Sequence, residues 1–165
     1  LYVAVLVVQS HPSMNSFNEA ILERVISSLK KTGSNPSLVR LGKEKQLGNI
    51  VDKRPGTLIF VYPTWWGGYP ASLLEWINEV LLPQKSLFQD VQEILSITTH
   101  GSSKLVNFLQ GEWGRAYTKR NIAAVCHPDV KIKSVSLYKI DRCTKAEIKD
   151  FLEKVSNELT SFSSL

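Results

Sequence analysis

Residues 57–81 read TLIFVYPTWWGGYPASLLEWINEVL. Thr57 to Tyr62 form a continuous apolar run, and continuous runs, unlike alternating ones, mark a strand covered on both faces of a parallel sheet. After the turn residues, Leu73, Leu74, Ile77, Val80 and Leu81 recur at helical spacing. A buried strand, a short loop and a helix therefore follow one another within a single unit.

The same unit recurs along the chain. Val3 to Val8 and Ile94 to Thr98 are further short apolar runs, with weaker strand candidates at Ser37 to Leu41 and Val130 to Leu137. Ile21, Leu22, Val25, Ile26 and Leu29 make a helical stripe between the first two strands. Alternation of strand and helix predicts an α/β fold, a three-layer sandwich around a five-stranded parallel sheet of order 2-1-3-4-5, with residues 1–165 as one domain. Two helix starts carry a capping-box pattern, Ser16 with Glu19 and Thr144 with Glu147. The last helix presents Ile148, Phe151, Leu152, Val155 and Leu159 as a core-docking face. The segment from Gly42 to Gly56 is short for a parallel crossover, which needs a dozen or more residues and usually a helix.

With 43% hydrophobic residues in 165, the chain buries a core without disulfides or metals. Cys126 and Cys143 stand far apart with no metal-ligand spacing, which fits a reducing, cytoplasmic setting. Leu1 to Val8 lack a preceding basic stretch and end at Gln9, Ser10 and His11, too early for a signal peptide or a membrane span. The net charge is +5 and the pI about 9.2, but the basic residues are scattered among acids. No arm or aromatic-interleaved stripe of the nucleic-acid-binding kind is present.

Unusual residues gather in three loops, each directly after a strong strand. In an open α/β sheet ligands bind beyond the carboxyl ends of the strands, and in the order 2-1-3-4-5 strands one, three and four are neighbours. The first loop, SHPSMNSFN (Ser10 to Asn18), enters the first helix and offers His11, Ser16 and Asn18 to an anion at a helix N-terminus, although Ser16 alone would read as a helix cap. The second, YPTWWGGYPA (Tyr62 to Ala71), pairs tryptophans with Gly67 and Gly68, which let backbone approach a flat ligand; one of Trp65 and Trp66 reads as a core residue. The third, TTHGSSK (Thr98 to Lys104), gathers hydroxyls, amides, His100 and Lys104, donors suited to developing negative charge.

SHPSMNSFN, VYPTWWGGYPASLLEWINEV and ITTHGSSKLVNFLQGEWG together resemble the three flavin loops of the NAD(P)H:quinone oxidoreductase family, in its bacterial-type, flavodoxin-like branch. The resemblance covers most of Val3 to Leu137. It implies a flavin whose phosphates lie against His11, Ser16, Phe17 and Asn18, and whose ring lies against Pro63, Thr64, Trp65, Trp66, Gly67, Thr98, Thr99, His100 and Gly101. Trp65 and Trp113 would meet the substrate. It also implies a homodimer and ping-pong hydride transfer from NAD(P)H to a quinone or similar small electrophile. The sequence departs from the family where a tyrosine and a histidine are expected near the flavin: Asn107 and Trp113 stand there. His100 is then the candidate for supporting charge or proton movement. It is also shorter than the family around Gly42 to Gly56 and Gln84 to Gln89.

The resemblance leans to FAD, with FMN as the alternative cofactor. Partners are a nicotinamide nucleotide and a small acceptor, without nucleic acid, metal or membrane insertion. Two other functions compete. One is a flavodoxin-type electron carrier, against which the positive charge speaks; the other is a regulatory ancillary subunit of a potassium-efflux system, in which bound nucleotide matters more than turnover.

Overall fold

The computed structural model describes residues 3–13, 16–42, 53–65, 67–109 and 113–161. Five strands, β1 (Val5–Ser10), β2 (Ser37–Leu41), β3 (Thr57–Pro63), β4 (Glu93–Thr99) and β5 (Lys131–Leu137), form one sheet of order β2-β1-β3-β4-β5. All four pairings are parallel, with Gln9 opposite Val61 and Pro63 opposite Thr99. The expected α/β architecture and strand order are therefore observed, and the fold is flavodoxin-like.

The apolar strands sort by parity, as a period of two requires. Val5, Val7, Ile59, Val61, Leu95, Ile97 and Val135 face α1 (Phe17–Lys31) and α6 (Lys145–Thr160), which add Ile21, Leu22, Val25, Leu29, Phe151, Val155 and Leu159 to that core. Leu6, Val8, Leu58, Phe60, Tyr62 and Ile94 face α2 (Ala71–Trp76) and its π-helical continuation Ile77–Leu81. Leu73, Ile77 and Leu81 are fully buried there. Burial of each such side chain contributes about 1.5–3 kcal/mol.

Strand β1 begins at Val5 and runs on through Gln9, where the sequence reading ended the apolar run, and Ser10, where it began the loop. Both are buried. Parallel pairing with Arg40 and Leu41 of β2 carries the strand past its apolar run. The short connection from β3 to β4 is filled by α2, its π turn and α3 (Lys85–Phe88), whose Phe88 is buried. Within the short 42–56 segment, residues 43–52 lie outside the described residues.

Two helices that follow β4, α4 (Lys104–Leu109) and α5 (Trp113–Tyr117), are short. A π-helical stretch, Thr118–Ile122, continues α5 and returns the chain to the core through the buried Ile122.

Candidate functional site

The two capping-box patterns end differently. At α6 the box is complete: Thr144 Oγ1 accepts from Glu147 N–H, and Glu147 accepts from Thr144 N–H at 2.7 Å. At α1 it does not form. Ser16 occupies the N-cap position without a side-chain cap, and its hydroxyl donates to Ser13 O at 3.2 Å. Glu19 is taken by Arg40 of β2, which donates to its two oxygens at 2.7 and 2.9 Å, and by Gln9 Nε2 at 3.1 Å. Hydrogen bonding from the Arg40 guanidinium holds the Glu19 carboxyl below the ordinary carboxylate range.

Asn18, the second residue of α1, is buried and accepts from Gln9 Nε2 through Oδ1 at 3.1 Å, while its Nδ2 has no partner. A buried amide donor left unmade costs free energy. An anion on the amide end of α1 would meet a dipole, backbone N–H groups and this donor. The residues therefore fit a phosphate. His11 folds into its own turn, accepting from Ser13 N–H through Nδ1 at 2.9 Å. Phe17 is half-buried, its ring tilted against Phe151 at 6.4 Å.

The second loop is a tight turn. Trp65 and Gly68 exchange backbone hydrogen bonds at 3.3 and 3.1 Å, and Gly67 takes φ 75°, a conformation that favours glycine. Trp66 lies outside the described residues. Trp65 is 59% exposed, as a ligand-covering indole would be. Gly67 lines the pocket that lies beneath the loops. Gly67 O accepts from Gly114 N–H at 3.1 Å, and a Cβ on Gly68 would stand 2.9 Å from Trp113 Cε3. Gly68 thus admits Trp113, which packs edge-on to Tyr69 at 6.0 Å while staying 43% exposed. Asn107 is on α4, and its side chain lies outside the described residues.

Second and third loops meet directly. Thr64 N–H donates to Thr99 O at 2.8 Å, prolonging the β3–β4 pairing beyond Pro63. Thr64 Oγ1 and His100 Nδ1 are 2.7 Å apart; His100 Nε2 and Thr98 Oγ1, 2.9 Å. His100 is 5% exposed. Its ring nitrogens thus face hydroxyls of the protein, and its N–H donates to Leu137 O at 2.8 Å. Of the donors offered for the flavin's reduced edge, the imidazole and the His100 amide are engaged inside the fold. Thr99 is buried as well, whereas Gly101 and Lys104 are exposed. The first loop joins the others through Ser10 Oγ and Ser72 Oγ, 2.8 Å apart.

Beneath the loops lies a pocket, partly open to solvent, that the sequence reading missed. Tyr62, Thr98, His100, Arg115, Ser134 and Ser136 help line it. Here the sheet face that is apolar at β1 and β3 turns to hydroxyls: Ser96 lies opposite Ser134, and Thr98 opposite Ser136 with 2.8 Å between their oxygens. Arg115 Nη2 donates to Ser134 Oγ at 2.7 Å. Alternate serines in SVSLY (134–138) were the available signal, legible once β4 and β5 are set in register. Burial raises the Tyr62 phenol well above its ordinary range and pushes the Cys126 thiol up to about 12, so neither ionises near neutrality. Among the described residues no cluster suited to a metal ion occurs.

These features define a flavodoxin-like α/β protein with a pocket lined from β3, β4, β5 and the loops that follow β3 and β4. No family model matches the sequence. The chain is 28% identical over 158 residues to NAD(P)H dehydrogenase (quinone) 1 of Rattus norvegicus, a match that takes in 66% of this chain and 57% of that protein. The chain thus spans little more than half the length of this curated relative. Its fold is similar to that of an NAD(P)H:quinone oxidoreductase from Methanothermobacter marburgensis, with a TM-score of 0.78, 16% identity and coverage of 99% and 97% of the two chains. It is also similar to an FMN-dependent NADH-azoreductase from Bacillus anthracis str. Ames Ancestor in complex with FMN, with a TM-score of 0.74, 12% identity and coverage of 96% and 98%. Sequence match and fold together support the NAD(P)H:quinone oxidoreductase family, as the three loops implied.

Proposed function

We propose that the chain is a flavin-dependent oxidoreductase that takes hydride from NAD(P)H and delivers it to quinones or similar small electrophiles. The observation that carries this reading is the open amide end of α1, with its unpartnered Asn18 Nδ2, on the same sheet edge as the joined Thr64 and His100 loops. The flavin would supply reversible hydride acceptance.

The protein's own part is binding and orientation. Ser16, Phe17 and Asn18 hold the phosphate, with His11 shaping the entry; Pro63, Thr64, Trp65, Trp66, Thr98, Thr99 and Gly101 line the ring. Gly67 shapes the turn that presents Trp65. Trp65 and Trp113, both partly exposed, cover the acceptor. His100 supports the reaction by fixing the loop rather than by handling a proton, since both ring nitrogens already meet threonine hydroxyls. The Gly101 amide and the helix end remain as donors for charge developing on the ring.

FMN accompanies one of the similar structures by name, and we take it ahead of the FAD toward which the sequence leans. Exposed Trp65, Leu105, Phe108 and Trp113 fit an apolar face shared in a homodimer. Among the described residues no helix is long and apolar enough to cross a membrane; a cytoplasmic setting agrees with two separate, free cysteines. An absorbance spectrum of the purified protein with mass analysis of released flavin tests the cofactor. Steady-state NAD(P)H oxidation with and without a quinone tests the reaction: flavin bound but no turnover would favour an electron carrier or a regulatory subunit, and no flavin at all would overturn the reading.

A further inference from the structure

The loop that follows β5 contributes none of the flavin contacts named above, yet it is fastened to the loop that follows β4. Lys139 N–H donates to Ser102 O at 3.1 Å and Ile140 N–H to His100 O at 3.0 Å. The Tyr138 ring stacks on the His100 imidazole, with centroids 4.4 Å apart and planes inclined by 22°. Lys139 adopts φ 54° and ψ 43° to make this approach. Left-handed backbone is costly for a residue with a Cβ, and it persists where the surroundings over-determine it.

On its other edges the same imidazole touches Thr64 Oγ1 and Thr98 Oγ1, and Thr98 Oγ1 lies 2.8 Å from Ser136 Oγ. His100 therefore gathers the ends of β3, β4 and β5, and Tyr138 covers its face. Gly101, Ser102 and Ser103, left to themselves, would sample many shapes. Ordering them at the moment of binding would subtract from affinity.

We propose that Tyr138 and the turn it begins, residues 138–142, form a latch that holds the 98–102 loop in its flavin-receiving shape before any flavin arrives. Tyr138 is then a positioning residue that acts through His100. The inference rests on the flavin reading above for its purpose, but the latch itself is a property of the flavin-free protein. It also explains why a histidine stands in a loop rich in small residues: only a ring with two polar nitrogens and a flat face meets two hydroxyls and an aromatic ring at once.

Amide hydrogen exchange at Lys139 and Ile140, whose N–H groups make the two latch bonds, measured by NMR on the flavin-free protein, tests this directly. Slow exchange is expected in the wild type, together with a downfield imidazole N–H resonance from His100. Tyr138→Leu should speed exchange at both amides by about three- to tenfold, the range that an aromatic pair contributes. Tyr138→Phe keeps the stack and should stay close to wild type. FMN dissociation should quicken in the same order, with the thermal midpoint tracking neither.

Fast exchange at Lys139 and Ile140 in the wild type would overturn the latch, and this measurement stands even where the leucine variant fails to fold. Wild-type rates in Tyr138→Leu, or equal damage from Phe and Leu, would overturn the stacking role. Slow exchange with no flavin binding would instead fault the flavin reading and leave the latch in place.

Discussion

Helices α1 and α6 begin with the same four-residue signal, a hydroxyl residue followed three positions later by Glu, and the fold treats them in opposite ways. At α6, Thr144 and Glu147 satisfy each other and the helix end is closed. At α1, Arg40 takes Glu19, Ser16 turns to Ser13, and Asn18 Nδ2 is left buried without a partner. The closed end lies after the last strand, and the open end lies after the first. The difference teaches that an incomplete cap is informative when a long-range contact has removed the local partner. On the reading proposed above, what is lost in helix stability becomes a place for an anion.

The contrast breaks if the open end binds nothing. Replacing Ser16 and Asn18 together by alanine should weaken flavin affinity by about ten- to a hundredfold, the size of one lost hydrogen bond to a charged group. Retention of flavin through gel filtration, with circular dichroism to check the fold, reads this out. Thr144→Ala should do the reverse, lowering stability by about 1 kcal/mol in denaturant unfolding and leaving flavin affinity unchanged. A loss of flavin in Thr144→Ala would dissolve the distinction between the two ends.

Smaller effects sharpen the comparison. The Glu19 carboxyl is held below its ordinary range by Arg40, so its contribution is present at neutral pH, above its unfolded value, and is lost as pH falls through the lower folded value. Acid unfolding of Glu19→Gln should therefore lack a component seen in the wild type, and at neutral pH the variant should be destabilised by no more than about 1 kcal/mol, because the pair is partly solvated. Ser16→Ala alone should change stability least, by a few tenths of a kcal/mol, since Ser16 makes no side-chain cap.

Much of the sheet was legible because apolar runs report burial directly: Ser37–Leu41 was placed at both ends, and β3 and β4 to within a residue. The α6 cap was legible because both partners are local. The α1 cap was misread because its competitor, Arg40, comes from a neighbouring strand. His100 was legible as a residue, but the contacts that surround its ring were not. Its partners arrive from the ends of three strands, and no spacing in the chain shows that Thr64, Thr98 and Tyr138 surround one ring. Gly67 and Gly68 were marked for close approach; Trp113 is what comes up against Gly68, while Gly67 lines the pocket.

Comparing FMN with riboflavin, which lacks the phosphate, tests the central claim most directly. Equilibrium titration of the flavin-free protein should show FMN binding more tightly than riboflavin by at least about tenfold, with the advantage removed in the Ser16→Ala, Asn18→Ala variant and kept in Thr144→Ala. Equal affinity for the two flavins in the wild type, or an FMN advantage that survives in the double variant, would contradict the assignment of α1 as the phosphate end of the site.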